Sequence, residues 1–357
     1  MLPRALLLLL IPVCIFLYSC KKWENPFTVD TRVLFNIETC EIWSPTSDLL
    51  SICHVNDKYL FHLGYTDRKP AQASPNGKIA FYTYLDTLRS VSLVNAQKKT
   101  YPVFNIDKFT INRDGSKILF VKNKMDLNIL DVSSGDTTHL YSTTPIGLIA
   151  SYIQGISFAN NSNRLLFVIW DADAVGYKII TMDADGSNII ISVAYQNVSK
   201  KIEYPAFSSS DAFIYYLMNS VIYSIPATGG TPSRIDWKNA KSENKMPTGL
   251  HSACFVPHVN KIFLFYRGAN IGALLVDPTS TGYNADICYI FDQSNECKIS
   301  SNGKLGVCTH EFGSDRKKKT DTKNLWVFPF SDEDDHTYRL LVSGQNCTNI
   351  SFVPDNF

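Results

Sequence analysis

Catalysis by this chain would need clustered histidines, cysteines or carboxylates, or an activated serine, and the sequence spreads these types thinly. Its histidines stand at His54, His62, His139, His251, His258, His310 and His336. None belongs to an H-E-x-x-H pair, and His251 and His258 flank one predicted strand, too far apart to share a metal locally. Asp183-Ala184-Asp185-Gly186-Ser187-Asn188 repeats carboxylates around a glycine, as calcium loops do. It lacks the distal bidentate glutamate of such a loop and reads as a β-turn. No G-x-S-x-G elbow, Walker loop or dinucleotide fingerprint is present. The residues nominate no catalytic group, no metal site and no cofactor.

The elements that would position any site come from a repeat, and periodicity is the first thing to seek in a chain of this length. Ala73-Ser74-Pro75-Asn76-Gly77-Lys78-Ile79-Ala80-Phe81 returns as Ile111-Asn112-Arg113-Asp114-Gly115-Ser116-Lys117-Ile118-Leu119-Phe120. Further copies centre on Asn160, Ser209, Pro257, Ser301 and Pro354, giving steps of 38, 47, 49, 48, 44 and 53 residues. A step near that size is one four-stranded propeller blade. Asn-Gly and Asp-Gly at the turn supply the positive φ of a tight hairpin, so each phrase joins the two inner strands of a blade. A third strand follows, as in Leu127 to Val132 and Lys178 to Asp183. Strings such as Phe263-Leu264-Phe265-Tyr266 also favour strands over helices.

The phrases resemble TolB-type propeller repeats, with their serine-proline-aspartate-glycine-lysine turn and later methionine-aspartate-alanine-aspartate-glycine turn. The resemblance spans about residues 40 to 357. It implies an all-β propeller and, by analogy of fold, a protein–protein role. The expected count is seven blades, with Ile350 to Pro354 closing the ring onto N-terminal strands. Trp43-Ser44-Pro45 conflicts with that count by looking like a further inner strand, so six or eight blades also fit.

Register suggests a covalent frame. A turn centred between Thr46 and Ser47 sets Cys40 opposite Cys53, and one on Asn302 and Gly303 sets Cys297 opposite Cys308. Either pair could be a disulfide, or the four could be free, buried and apolar in behaviour. The sequence has nine cysteines and no C-x-x-C, which argues against zinc and thioredoxin chemistry.

One constellation follows from the repeat itself. Entering the seven inner strands stand Lys69, Asp107, Gln154, Glu203, His251, Asn295 and Thr348, all polar. They read either as ordinary loop residues or as a ring of donors and acceptors around a channel mouth. A ring of that kind suits a peptide, a glycan or a loop of an envelope protein. It contains no carboxylate pair that spacing would assign to glycosidic chemistry.

The first residues read as targeting rather than fold. Met1 to Arg4 is basic, Ala5 to Leu17 is an apolar run too short for a confident span, and Leu17-Tyr18-Ser19-Cys20 resembles a bacterial lipobox. That resemblance implies a signal peptide over 1–19, lipidation of Cys20, a tethering linker over 20–30 and the propeller over 31–357. Lys21-Lys22 after the cysteine resembles lipoproteins of the Bacteroidetes, which places the chain in the cell envelope at the outer membrane, anchored by lipid. Net charge is +1, which gives no electrostatic case for nucleic acid. The reading is a non-enzymatic binding or scaffold module for a protein or polymer. Its alternative is a hydrolase or lyase acting on glycan or peptide at the channel mouth.

Overall fold

The computed structural model describes residues 32–38, 47–54, 60–67, 69–143, 145–146, 149–173, 175–195, 201–236, 250–266, 272–280, 285–288, 296–300, 302–312, 319–330, 339–342 and 347–353. Its strands form seven four-stranded antiparallel sheets in a ring. The fold is a seven-bladed β-propeller.

Blade 1 is composite: Cys347–Val353 is its inner strand, followed outward by Arg32–Glu38, Ser47–His54 and Leu60–Asp67. Blades 2 to 7 are continuous in sequence, with inner strands Gln72–Ala73, Ile106–Ile111, Tyr152–Phe158, Ile202–Phe207, Leu250–Val256 and Glu296–Ile299. Inner strands of successive blades touch one another around the channel, while outer strands such as Thr137–Ser142 face solvent. An additional two-stranded hairpin, Pro145–Ile146 with Ile149–Ala150, interrupts the crossover from blade 3 to blade 4.

The chemistry of the repeat explains the ring. Seven apolar clusters lie one at each seam between neighbouring blades. A second strand is therefore buried on both faces and reads as a continuous apolar run, where a half-exposed strand would alternate. In blade 6, Phe263 and Phe265 enter the seam with blade 7, whereas Leu264 and Tyr266 enter the seam with blade 5.

Each repeat phrase is the hairpin between first and second strands. In blade 3, Gly115 at φ 75° closes the turn by donating its N–H to Asn112 O at 3.0 Å. The Asp183 to Asn188 segment is likewise a turn: Ser187 Oγ donates to Asp185 Oδ1 at 2.6 Å and Asn188 Nδ2 to Asp183 Oδ2 at 2.5 Å.

Closure follows the expected route. Arg32–Glu38 pairs on one side with Ser47–His54 and on the other with Cys347–Val353. Ser47–His54 is thus the third strand of blade 1, which removes the need for a further blade at Trp43-Ser44-Pro45; those three residues lie outside the described ones. The same pairing corrects the turn expected between Thr46 and Ser47. Cys53 faces Val33, not Cys40, and the connection occupies 39–46, outside the described residues together with Cys40. The turn's centre was misplaced: Glu38 stands opposite Asp48, so Ser47 opens the partner strand instead of sitting at the middle of a turn. Cys53 is a free, buried thiol, and burial pushes it up to about 12. In blade 7, Cys297 faces Cys308 across the first two strands, both fully buried.

At the closing seam, Glu296 Oε1 accepts the Ile350 N–H at 3.1 Å, across the step from blade 7 to blade 1. Burial holds the Glu296 carboxyl above the usual range, partly countered by Lys298 and by backbone donors of Ile350 and Asn349. A carboxyl whose folded pKa is raised stabilises the fold when protonated, and that contribution is lost as pH rises through its folded value. Glu296→Gln keeps an acceptor and removes the charge. The variant should match or exceed the parent in urea unfolding at pH 7 and lose that advantage at acidic pH. An advantage growing as pH falls would contradict the assignment.

Candidate functional site

The polar ring positions have a structural cause. Register shifts interrupt the inner-strand ladders between Ile106 and Lys108, Ile153 and Gly155, Glu203 and Ala206, and Leu250 and Ser252. Asp107, Gln154 and His251 fall inside these bulges and Glu203 at the edge of one. Thr348 faces Asn36 beside the equivalent shift in blade 1. A bulge bends the strand and re-aims a side chain, which breaks the in–out alternation at that point.

Two of the seven share a cavity. It measures about 510 Å³ at the mouth where chain crosses from blade to blade, and is lined by Gln72, Lys108, Gln154, Lys201, Glu203 and Tyr204 among others. Lys201 Nζ is paired with Glu203 Oε1 at 2.6 Å, which raises the lysine's pKa through that hydrogen bond. Lys108 Nζ donates to the backbone carbonyl of Gln154. Desolvation holds Lys108 below the ordinary lysine range, Asp107 opposing and Lys201 reinforcing the shift. Gln154 Oε1 is buried, with no donor among the described residues. Tyr204 sits at φ 51°, a left-handed conformation costly for an aromatic residue and one that clusters at functional sites. Across the seam, a Cβ on Gly155 would lie 2.8 Å from Pro205 Cγ, so glycine is what lets blades 4 and 5 approach here.

The remaining ring positions are spent on structure or lie apart. Lys69 Nζ donates to Ile106 O at 2.7 Å and pairs with Asp86 at 3.4 Å, tying blade 2 to blade 3. Asp107 Oδ2 accepts the Lys124 N–H within blade 3. His251 lies on the inner strand of blade 6, and Asn295 is outside the described residues. Sequence reasoning missed Lys108, Lys201, Tyr204 and Gln72. A signal existed for Lys201, a charged residue two positions before Glu203 where the chain enters the inner strand Ile202–Phe207.

The opposite mouth is lined by the repeat phrases. Pro75, Arg113, Asn160, Ser209 and Pro257, equivalent positions in five blades, surround a cavity of about 530 Å³. Its polar groups are consumed by neighbours. Arg113 Nη1 donates to Asn161 Oδ1 at 2.7 Å, and the Asp211 carboxylate takes the N–H groups of Asn160 and Asn161 at 2.6 and 2.7 Å. Ser209 Oγ donates to Asn260 Oδ1 at 2.9 Å. This girdle holds blades 3 to 6 together. The crossover mouth, lined by a half-buried lysine with no carboxylate in ion-pair distance among the described residues, is the better binding candidate.

No family model matches the chain, and no curated protein matches it. Solved structures do. An oligogalacturonate lyase from Vibrio parahaemolyticus superposes with TM-score 0.55 at 9% identity, over 88% of this chain and 85% of that one. The tricorn protease gives 0.56 at 11% identity, over 85% of this chain and 33% of the much longer protease. A chain of a mitotic checkpoint complex gives 0.50 at 14% identity, over 80% and 77%. What they share with this protein is the propeller. At such identities the likeness concerns architecture, and the site must speak for itself.

Proposed function

We propose that the protein is a cell-envelope lipoprotein of TolB-like type, anchored through Cys20, whose propeller is a non-enzymatic module binding a protein or polymer partner. One observation carries the binding reading: the crossover cavity is lined by Lys108, half-buried with a single backbone acceptor, while Glu203, its one acidic lining residue among the described ones, is paired with Lys201. A tethered carboxylate of that kind is poorly placed to act as acid or base. Occurrence of propellers in a mitotic checkpoint complex supports a role in assembly. The anchor reading rests on the lipobox-like run. The strand from Arg32 starts beside the hairpin mouth, where Arg32 Nη2 donates to Gly77 O at 3.0 Å, opposite the candidate site.

A lyase or hydrolase at the same mouth is the competing reading. It is favoured by Lys108, whose depressed pKa suits a proton acceptor, and by the lyase among the structural neighbours.

Cys20→Ala should move the protein from the membrane fraction to a soluble or unprocessed form and abolish incorporation of labelled fatty acid. Labelling at the parent level would end the anchor reading. Pull-down from detergent-solubilised envelope should recover a stoichiometric partner. Turnover of glycan or peptide by the purified protein, lost in Lys108→Met, would replace binding with catalysis.

A further inference from the structure

Strand register sets one pair of cysteines apart. Cys53 faces Val33 and Leu60, Cys254 faces Phe263, Cys288 faces Ala273 and Cys347 faces Ile37. Among the described residues only Cys297 and Cys308 face each other, on the first two strands of blade 7. The turn decides how closely they meet. Ser300 N donates to Leu305 O at 2.8 Å, which makes these two the last hydrogen-bonded pair of the hairpin. Bonded and non-bonded pairs alternate along an antiparallel ladder, so Lys298 and Val307 are bonded while Cys297 and Cys308 are not. A non-bonded pair holds its Cα atoms about 4.5 Å apart and its side chains closer than a bonded pair does. That spacing lies inside the range of about 4.4–6.8 Å that a disulfide spans. Both side chains point to the same seam, that of blades 6 and 7, and both are fully buried in its apolar cluster. The pair stands here as two thiols.

We infer that Cys297 and Cys308 become joined by a disulfide that staples the inner hairpin of blade 7. The bond arises by exchange with an external disulfide, that of oxidised glutathione or of an oxidising dithiol protein. One thiolate attacks it to give a mixed disulfide, and the second thiolate then displaces the carrier. Two protons and two electrons leave the cysteine pair, and the carrier's disulfide is reduced to two thiols. Both sulfurs are covered once blade 6 packs on blade 7, so the exchange belongs to the earlier stage at which the hairpin has formed and is still open to solvent. The staple bears on ring closure. Glu296, adjacent to Cys297, accepts the Ile350 N–H, and the strands Glu296–Ile299 and Cys347–Val353 touch. A covalent link one residue away fixes the seat on which the closing strand docks. The bond requires an oxidising medium, and it requires neither the lipid anchor nor the binding site of the function proposed above.

The test refolds the reduced, detergent-solubilised full chain in a mixture of oxidised and reduced glutathione, then alkylates and digests it without reduction. Trypsin with a glutamate-specific protease releases Cys297-Lys298 and Leu305–Glu311, each holding one cysteine. The two should be recovered as a single linked peptide with neither cysteine alkylated. Alkylation of both, or linkage of either one to Cys254, Cys288 or another cysteine, would overturn the inference. Stability gives a second reading. Reductant supplied during unfolding should lower the parent's melting temperature by about 5 °C and leave the double variant Cys297→Ala/Cys308→Ala where it is. The double variant should also lose clearly less than the sum of the two single variants, because either substitution alone breaks the bond. Additive losses, as from two independent packing residues, or a parent whose melting point ignores reductant, would overturn the staple as well.

Discussion

Deletion of Ile350 to Phe357 should open the ring and lower the melting temperature by at least about 10 °C, or abolish soluble expression altogether. The segment supplies most of the inner strand of blade 1, whose ladder to Arg32–Glu38 is the one link in sheet pairing between the two ends of the chain among the described residues. Ile350 and Val353 are 1% and 2% exposed. Two such side chains contribute about 1.5–3 kcal/mol each by burial alone. At roughly 2–4 °C per kcal/mol for a domain of a few hundred residues, that term by itself approaches the stated shift. Loss of the strand also bares Arg32–Glu38 as a new inner edge and strips the Ile350 N–H from Glu296, adding unpaired backbone to the lost apolar area. Scanning calorimetry and limited proteolysis read the outcome. A melting point within about a degree of the parent would mean that the ring is held by something other than this strand.

Gly306→Ala is the smallest substitution expected to do comparable harm. Gly306 lies on the second strand of blade 7, Leu305–Phe312, opposite Phe328 on the third, Lys319–Pro329. A Cβ there would stand 2.2 Å from Phe328 Cζ and 2.3 Å from Cε2. The ring lies flat over the glycine because nothing projects from it. It has little room to retreat, being 1% exposed in the seam with Phe263, Phe265 and Trp326. Replacing a strand glycine with alanine ordinarily gains about 0.5–1 kcal/mol. Overpacking costs about 1–3 kcal/mol or more and outweighs that gain, so the sign of the effect decides the question. The variant should melt several degrees lower, and Phe328→Leu in the same chain should recover part of the loss as a positive coupling in a double-mutant cycle. A Gly306→Ala protein as stable as its parent would show that Phe328 can move aside.

Much of the architecture was legible before any coordinates. The hairpin phrases are local: positive φ at Gly115, the Asn112 to Lys117 turn and the following apolar run lie within ten residues, so chemistry and spacing suffice to find them. Summed over the chain they return the blade, its period and the ring's closure by an inner strand. Even the Cys297–Cys308 register follows, since one hairpin turn determines it. Register fails where no turn residue marks the centre. The Cys40–Cys53 pairing assumed a turn centred between Thr46 and Ser47, whereas Glu38 stands opposite Asp48 and Ser47 opens the partner strand.

The candidate site divides along the same line. That polar residues stand at the start of each inner strand is a property of one blade repeated, and the sequence alone shows it. Which of them meet is a property of seams between blades. Lys108 reaches Gln154 across the seam of blades 3 and 4, and Gly155 meets Pro205 across the next. Lys69 and Asp107, equal to Gln154 and Glu203 by position in the repeat, are instead absorbed by the Ile106 carbonyl and the Lys124 N–H. Sequence determined the ring of positions because each depends on its own strand. Only the tertiary structure decided which were left unsatisfied, because a hydrogen-bond partner one blade away lies about fifty residues along the chain and obeys no local period.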